Sequence, residues 1–73
     1  MVAKSSVLRT KFGKQMRELR NKMGISQEEL GFRTGLDRTY ISGIERGMRN
    51  PSLENIGRLS KALKTPLSEL FSF

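Results

Sequence analysis

Apolar residues recur along most of this chain at intervals of three or four, the spacing that lines one face of an α-helix. The first set consists of Leu8, Phe12, Met16, Leu19 and Met23. Gly24 follows directly, at the position where a left-handed glycine commonly ends a helix. The pattern predicts a first helix that ends before Gly24. The polar residues 1–6 before it are expected to form a flexible tail.

Two short helices are predicted next, separated by a glycine. Ser26 and Glu29 have the spacing of a capping box, in which the serine hydroxyl accepts from the glutamate amide and the glutamate side chain returns to the serine amide. This second helix ends where Gly35 breaks it. Asp37 is a favourable N-cap for a third helix, which is predicted to run to Arg46.

A fourth helix is predicted after Ser52, and its apolar face consists of Leu53, Ile56, Leu59 and Leu63. Pro66 is expected at the first position of a short fifth helix. The apolar face of that helix consists of Leu67, Leu70 and Phe71. No stretch alternates with the two-residue period of a strand for long enough to form one. The chain is therefore predicted to be one all-α domain, residues 1–73, with about five short helices.

Residues 26–47 meet the requirements of a helix-turn-helix. Two helices that cross steeply need a small residue at their contact, a turn residue that tolerates positive φ, and a shared apolar core. Gly31 and Gly35 occupy the contact and the turn. The shared core is predicted from Leu30, Leu36, Ile41 and Ile44. A helical hairpin that binds no nucleic acid is the alternative interpretation of this pattern.

The net charge of +7 is unevenly distributed along the chain. Residues 1–22 contain seven basic residues and one acidic residue, whereas the charged residues of 23–32 are two glutamates. Because a basic protein that binds a polyanion releases counterions, this composition favours nucleic acid as a partner. A solubilising surface explains the same charge without a partner.

Composition argues against several other functional classes. The chain has no cysteine and no histidine, which excludes thiolate metal sites and removes the commonest general base. Glu28 and Glu29 are adjacent and point about 100° apart on a helix, so they do not cooperate as paired carboxylates. We therefore expect no enzyme activity, cofactor, metal or small-molecule substrate. No apolar run approaches the roughly 20 residues of a membrane span, and a cytoplasmic protein is expected.

The string DRTYISGIERGMRNPS, residues 37–52, resembles the Cro/C1-type (Xre-like) helix-turn-helix family, and within it the controller proteins of restriction–modification systems. The resemblance covers about residues 12–71. It implies a compact five-helix bundle of the phage-repressor type. It also implies a homodimer that binds a palindromic double-stranded DNA operator and regulates transcription, with RNA polymerase as a further partner. An Xre-like antitoxin or a phage-type repressor, acting partly through protein–protein contacts, is the alternative.

The resemblance assigns roles to individual residues. Those expected to read bases are Arg38, Thr39, Ser42 and Tyr40. Those expected to contact the DNA backbone are Gln27, Tyr40, Arg46, Arg49 and Asn50. Arg38 is the strongest candidate, because a guanidinium matches O6 and N7 of guanine. Partial packing is the alternative for Tyr40, and a solvated surface position is the alternative for Gln27 and the arginines. Arg20 and Glu45 are expected to form a structural ion pair that orients the third helix.

The last helices carry more apolar side chains than a small core absorbs. One short helix reads few base pairs, so we expect a two-fold dimer with half-sites about 34 Å apart. The predicted dimer interface includes the end of the fourth helix and the residues Leu67, Leu70, Phe71 and Phe73. The alternative is that these side chains close the monomer's own core, above all Leu67 and Leu70.

Overall fold

The computed structural model describes residues 6–73, and within that range it contains five α-helices and no strand. The helices are α1 Ser6–Met23, α2 Gln27–Thr34, α3 Arg38–Glu45, α4 Leu53–Ala62 and α5 Leu67–Leu70. The predicted all-α fold is confirmed. The tail predicted over residues 1–6 lies outside the described residues, apart from Ser6, which is the first residue of α1.

Local side-chain caps explain where α2 and α4 begin. The Ser26 hydroxyl accepts from the Glu29 amide at 3.0 Å, and the Ser52 hydroxyl accepts from the Asn55 amide at 3.1 Å. Each bond satisfies an amide that has no partner inside its helix. α2 ends at Gly35, whose φ of 76° is a left-handed conformation that glycine adopts without strain. The starts of α2 and α4 and the end of α2 are therefore determined by local sequence.

Two of the predicted caps are wrong in detail, and a third is confirmed. Glu29 does not return to Ser26, because its carboxylate accepts instead from Arg33 one turn later, at 2.9 Å. Asp37 is the N-cap of α3, as predicted, although within the described chain its side chain makes no capping hydrogen bond. Pro66 is the N-cap of α5 rather than its first residue. The helix starts are correct to within a residue, and the Ser26 hydroxyl makes the predicted bond with the Glu29 amide.

The core is one cluster of buried side chains to which every helix contributes. Its members are Phe12, Met16, Leu30, Ile41, Ile44, Leu59, Leu63 and Leu70. α1 and α2 both pack on α3, α2 also packs on α4, and α5 closes the bundle against α1 and α4. Each large apolar side chain that leaves water contributes about 1.5–3 kcal/mol. This cluster therefore provides the main stabilisation of a small domain.

Three leucines lie elsewhere than predicted, two from the apolar pattern and one from the predicted dimer interface. Leu53, predicted on the core face of α4, is 81% exposed, and Leu8 in α1 is 60% exposed. Both lie in the first turns of their helices, where the apolar stripe extends past the core. Leu70, predicted in the dimer interface, is fully buried at 0% exposure. Since α5 packs against α1 and α4, Leu70 belongs to the monomer's core, and its assignment to the interface is wrong.

α1 and α3 approach so closely that only a glycine fits where they cross. A Cβ atom on Gly13 would lie 2.3 Å from the carbonyl oxygen of Ile44 and 2.7 Å from that of Glu45. Both oxygens belong to the backbone and cannot turn aside as a side chain would. The crossing therefore fixes the C-terminal end of α3 against α1.

Gly13→Ala is expected to destabilise the fold by about 1–3 kcal/mol through overpacking, despite the higher helix propensity of alanine. Gly57 is the matched control, since it also lies inside a helix but a Cβ there would meet nothing within 4 Å. Gly57→Ala is expected to stabilise the protein by about 0.5–1 kcal/mol. Urea unfolding measures both changes, and equal stability of the two variants would contradict the close crossing.

Candidate nucleic-acid interface

α3 turns a polar face to solvent and an apolar face to the core. Arg38 and Thr39 are exposed in its first turn, and Ser42 is half-buried one turn later. Ile41 and Ile44 are buried on the opposite side. A helix with this division can enter a major groove with its first turns against base edges, while its other face stays packed on the domain.

The basic residues predicted to meet the DNA backbone follow α3 directly. Arg46, Arg49 and Asn50 are all exposed. Arg46 also lies one turn after Ser42, to whose hydroxyl its Nε donates at 3.4 Å. The structure thus brings Arg46 beside Ser42, whereas Asn50 lines a groove that it shares with Leu8 and Phe71.

Tyr40 is held from two sides. Asn55 in α4 donates through Nδ2 to the Tyr40 hydroxyl at 3.2 Å, and the Arg49 guanidinium lies 5.6 Å from the ring centroid, within cation–π range. Because the hydroxyl oxygen accepts from Asn55, the hydroxyl proton can be donated to an acceptor outside the protein. Tyr40 therefore packs against its neighbours and keeps a hydrogen-bond donor at the surface.

Gly43 makes room for Arg49 on the outer side of α3. A Cβ atom on Gly43 would lie 2.6 Å from Cγ and 3.1 Å from Nε of Arg49. The stem of Arg49 therefore crosses α3 at the point where a larger residue would stand, and this path brings its guanidinium to Tyr40. Sequence reasoning missed this contact. Its only sign in the sequence is a glycine in the middle of a short helix, where glycine is unfavourable.

A buried ion pair anchors the C-terminal end of α3. Arg20 in α1 donates to Glu45 twice, from Nε to Oε2 at 2.6 Å and from Nη2 to Oε1 at 3.0 Å. The two side chains are 10% and 2% exposed. The hydrogen bond to Glu45 raises the pKa of Arg20 above its ordinary value, although burial acts in the opposite direction. The guanidinium is therefore charged at every physiological pH.

Gln27 joins α2 to the same pair. Its Nε2 donates to Oε1 of Glu45 at 3.0 Å, and the residue is half-buried at the start of α2. Arg20 also donates to the carbonyl oxygen of Ile25, at 2.8 Å, in the segment between α1 and α2. The ion pair thus connects α1, α2 and α3. The Gln27 side chain, which is predicted to contact the DNA backbone, is therefore already held in place by Glu45.

The C-terminal residues predicted for a dimer interface divide into two groups. Leu70 is in the core, whereas Leu67, Phe71 and Phe73 are about half exposed. The Phe71 ring packs on Phe12 at a centroid distance of 5.0 Å. We refer to Leu67, Phe71 and Phe73 as the C-terminal apolar surface. Within the described residues, no helix is long and apolar enough to cross a membrane, and no acidic cluster is arranged to hold a metal ion.

Comparison with known proteins identifies the family. A family model described as helix-turn-helix matches residues 16–70 of this chain. The chain belongs to this helix-turn-helix family. A helix-turn-helix relative, the control protein C.BamHI of Bacillus amyloliquefaciens, is 49% identical over 67 residues, which cover 90% of this chain and 83% of that protein.

Two solved structures of controller proteins share this helix-turn-helix fold. The restriction–modification controller protein C.AhdI of Aeromonas hydrophila is 52% identical with a TM-score of 0.88, covering 90% of this chain and 96% of that one. The controller protein C.Esp1396I, solved as a tetramer with its natural 35 base-pair operator, is 35% identical with a TM-score of 0.81, covering 89% and 86%. The resemblance found in the sequence is confirmed.

Glu45→Ala is expected to cost about 3–5 kcal/mol of folding free energy, because it leaves the Arg20 guanidinium buried without its counter-charge. Glu29→Ala is the matched control. It removes an exposed helical pair with Arg33, 2.9 Å long, and is expected to cost less than about 1 kcal/mol. Thermal and urea unfolding measure both losses, and similar losses would show that the buried pair has no special role in the fold.

Proposed function

We propose that this protein is a sequence-specific, double-stranded DNA-binding regulator of transcription that acts as the controller protein of a restriction–modification system. The observation that carries the proposal is the outward face of α3. Arg38 and Thr39 are exposed there, while the buried pair of Arg20 and Glu45 holds the helix rigidly to the domain. The kinship with C.BamHI, C.AhdI and C.Esp1396I supports the controller assignment.

Base reading is proposed for the first two turns of α3. Arg38 is exposed at the helix start, where its guanidinium can form two parallel hydrogen bonds to O6 and N7 of a guanine. Thr39 offers a hydroxyl and a methyl group to a base edge or a thymine methyl. Ser42 and Tyr40 are half-buried. The Tyr40 hydroxyl oxygen accepts from Asn55, so its proton is proposed to be donated to a base or a phosphate.

Contacts with the phosphate backbone are proposed for the residues that flank α3. Gln27 is the first residue of α2 and lies at the positive end of the helix dipole, which favours a phosphate. Arg46, Arg49 and Asn50 would meet the backbone on the other side. Such contacts set the register of the protein on the duplex and carry no sequence information directly.

Arg38→Ala is expected to relax the base preference at one guanine position of each half-site, with a loss of discrimination of about 1–3 kcal/mol. The operator is first identified by selecting bound DNA from a random pool. Binding of the selected duplex and of single-base variants is then compared by fluorescence anisotropy at a fixed salt concentration.

Arg46→Ala is the control for the Arg38 experiment. As a proposed backbone contact, it is expected to weaken binding to all of the duplexes by a similar factor and to leave the base preference unchanged. A protein that binds every duplex equally, before any substitution, would reduce the proposal to a basic surface without sequence reading.

The dimer is proposed to form through the C-terminal apolar surface. Leu67 and Phe73 expose about half of their side-chain area. Beside them lies a groove between the start of α1 and α4, whose lining is mostly apolar, with Leu8, Ile56 and Phe71 among its residues, and also includes Arg9 and Asn50. A second copy related by a two-fold axis would cover this surface and double the bases read.

Operator DNA and a second copy are thus proposed as partners. RNA polymerase is proposed as a third, because a regulator that binds at a promoter occupies the same DNA as the polymerase. A cytoplasmic location, on the nucleoid, is proposed to go with these partners.

Leu67→Lys combined with Phe73→Lys is expected to raise the dissociation constant of the dimer more than about tenfold, since burial of each of these apolar side chains is worth about 1.5–3 kcal/mol. Phe32→Lys is the control, because Phe32 is 84% exposed in α2, outside this surface. Sedimentation equilibrium over a concentration series measures the change. A wild-type protein that stays monomeric at every concentration would rule out the dimer.

A further inference from the structure

The geometry points to a second DNA-contacting surface, separate from the face of α3, that binds phosphates outside the base pairs read by that helix. This surface, the basic cleft, lies between the C-terminal ends of α2 and α4. It is lined by Arg33, Thr34, Arg58, Lys61, Ala62 and Lys64. The inference rests on the proposed function, since it extends the contact of a DNA-binding domain along the duplex.

The basic cleft concentrates positive charge without acidic residues in its wall. Its lining contains four cations and no carboxylate. Arg33 is partly neutralised by Glu29, at 2.9 Å. Within residues 6–73, Arg58, Lys61 and Lys64 take part in no salt bridge. A concave surface of one charge sign raises the local concentration of ions of the opposite sign, so this cleft attracts polyanions.

Lys64 provides an independent observation, because its backbone is strained. Its φ is 53°, and within the described residues it is the only residue other than glycine with a positive φ. It follows Leu63, the C-cap of α4, at a position where glycine is the usual residue and carries no penalty. A lysine here adds strain and a charge at the cleft. An outlier of this kind is a reason to look for a function of the side chain.

The basic cleft has chain neighbours in a second concavity beside α3. That concavity, between α3 and α4, is lined by Gly35, Asp37, Thr39 and Asn55, among others, and Asp37 is its one acidic residue. Thr34 of the cleft directly precedes Gly35, and Arg58 lies three residues after Asn55 on the same side of α4. From Asn55 to Lys61 the helix rises about 9 Å. One strand of duplex DNA carries a phosphate about every 3.4 Å along the axis, so about three phosphates of one strand fall within that length.

The composition of the basic cleft favours DNA over an acidic protein. Protein interfaces are anchored by buried aromatic and large apolar side chains. The apolar residue in the cleft lining is Ala62, which offers no such anchor. Phosphate groups need only cations and hydrogen-bond donors, and arginine and lysine supply both. The occupant we infer is therefore the sugar–phosphate backbone of DNA that flanks the operator.

The test uses two duplexes built on the sequence selected from a random pool. The short duplex ends at the outer base pair of each half-site, and the long duplex adds one helical turn on each side. The cleft variant carries Arg58→Gln, Lys61→Gln and Lys64→Gln. The control variant carries Lys11→Gln, Lys14→Gln and Lys22→Gln, which removes the same charge from exposed positions of α1. Anisotropy titrations at several salt concentrations give the affinities and their salt dependence.

The wild type is expected to bind the long duplex more tightly and with a steeper salt dependence than the short one. The cleft variant is expected to lose that difference. The slope of log affinity against log salt on the long duplex should decrease by about 0.9 for each phosphate that the variant no longer neutralises. The control variant should weaken binding to both duplexes by the same factor and keep the difference between them.

If the cleft and control variants change the affinities for the long and short duplexes in the same way, the inference is overturned. An acidic protein would then be the remaining candidate ligand of the cleft. The proposed function is tested separately, by the base preference of the wild type on the short duplex. Absence of that preference would overturn the proposed function and, with it, the inference. Retention of the preference without any effect of the cleft variant would overturn the inference alone.

Single substitutions at Lys64 separate a functional from a structural role. Lys64→Gly is expected to raise Tm by roughly 4 °C, because the strain at positive φ is released. The same substitution is expected to weaken binding to the long duplex. The ratio of wild-type to variant affinity should be about three- to fourfold larger at about 50 mM salt than at about 200 mM salt. Lys64→Gln should weaken binding equally without the gain in Tm. Unchanged binding in both variants would contradict a role for Lys64 in contacting DNA.

Discussion

The buried ion pair between Arg20 and Glu45 is the interaction on which the rest of the structure depends. It fastens the end of α3 to α1, and Gln27 attaches α2 to the same carboxylate. Close by, α1 and α3 cross at Gly13 with no space for another atom. A helix that reads DNA must hold its side chains to within about 0.5 Å of the productive geometry. The pair and the crossing together give α3 one orientation relative to the domain.

The proposed reading face is supported by side chains that need not touch DNA themselves. Asn55 occupies the acceptor site of the Tyr40 hydroxyl, and Arg49 passes over Gly43 to reach the Tyr40 ring. Tyr40 is therefore ordered before DNA arrives, which lowers the entropic cost of binding. Arg38, by contrast, lies exposed at the helix start. The two residues would contribute to recognition in different ways, Tyr40 through a preordered ring and Arg38 through its charged guanidinium.

Features that depend on neighbours in the sequence were predictable from the residues themselves. Of the contacts between distant residues, the Arg20–Glu45 pair was expected only from the family resemblance, and the others were not predicted. Ser26, Gly35 and Ser52 mark helix boundaries because caps and turns are local. The exposure of Leu53 and the burial of Leu70 depend on which helices cover them, and periodicity within one helix does not contain that information. The basic cleft brings together Arg33 and Lys64, which are far apart in the chain. The distribution of charge along the sequence does not show that these residues are close in space.

Replacement of single guanines in the selected half-site by 7-deazaguanine tests the central claim most directly, since it removes the N7 acceptor and keeps the base pair. The account predicts that one such replacement weakens binding of the wild type about tenfold and has no effect on the Arg38→Ala variant, because the partner of that acceptor is already absent. Equal weakening of both proteins, or of neither, would contradict the claim that Arg38 at the start of α3 reads the operator.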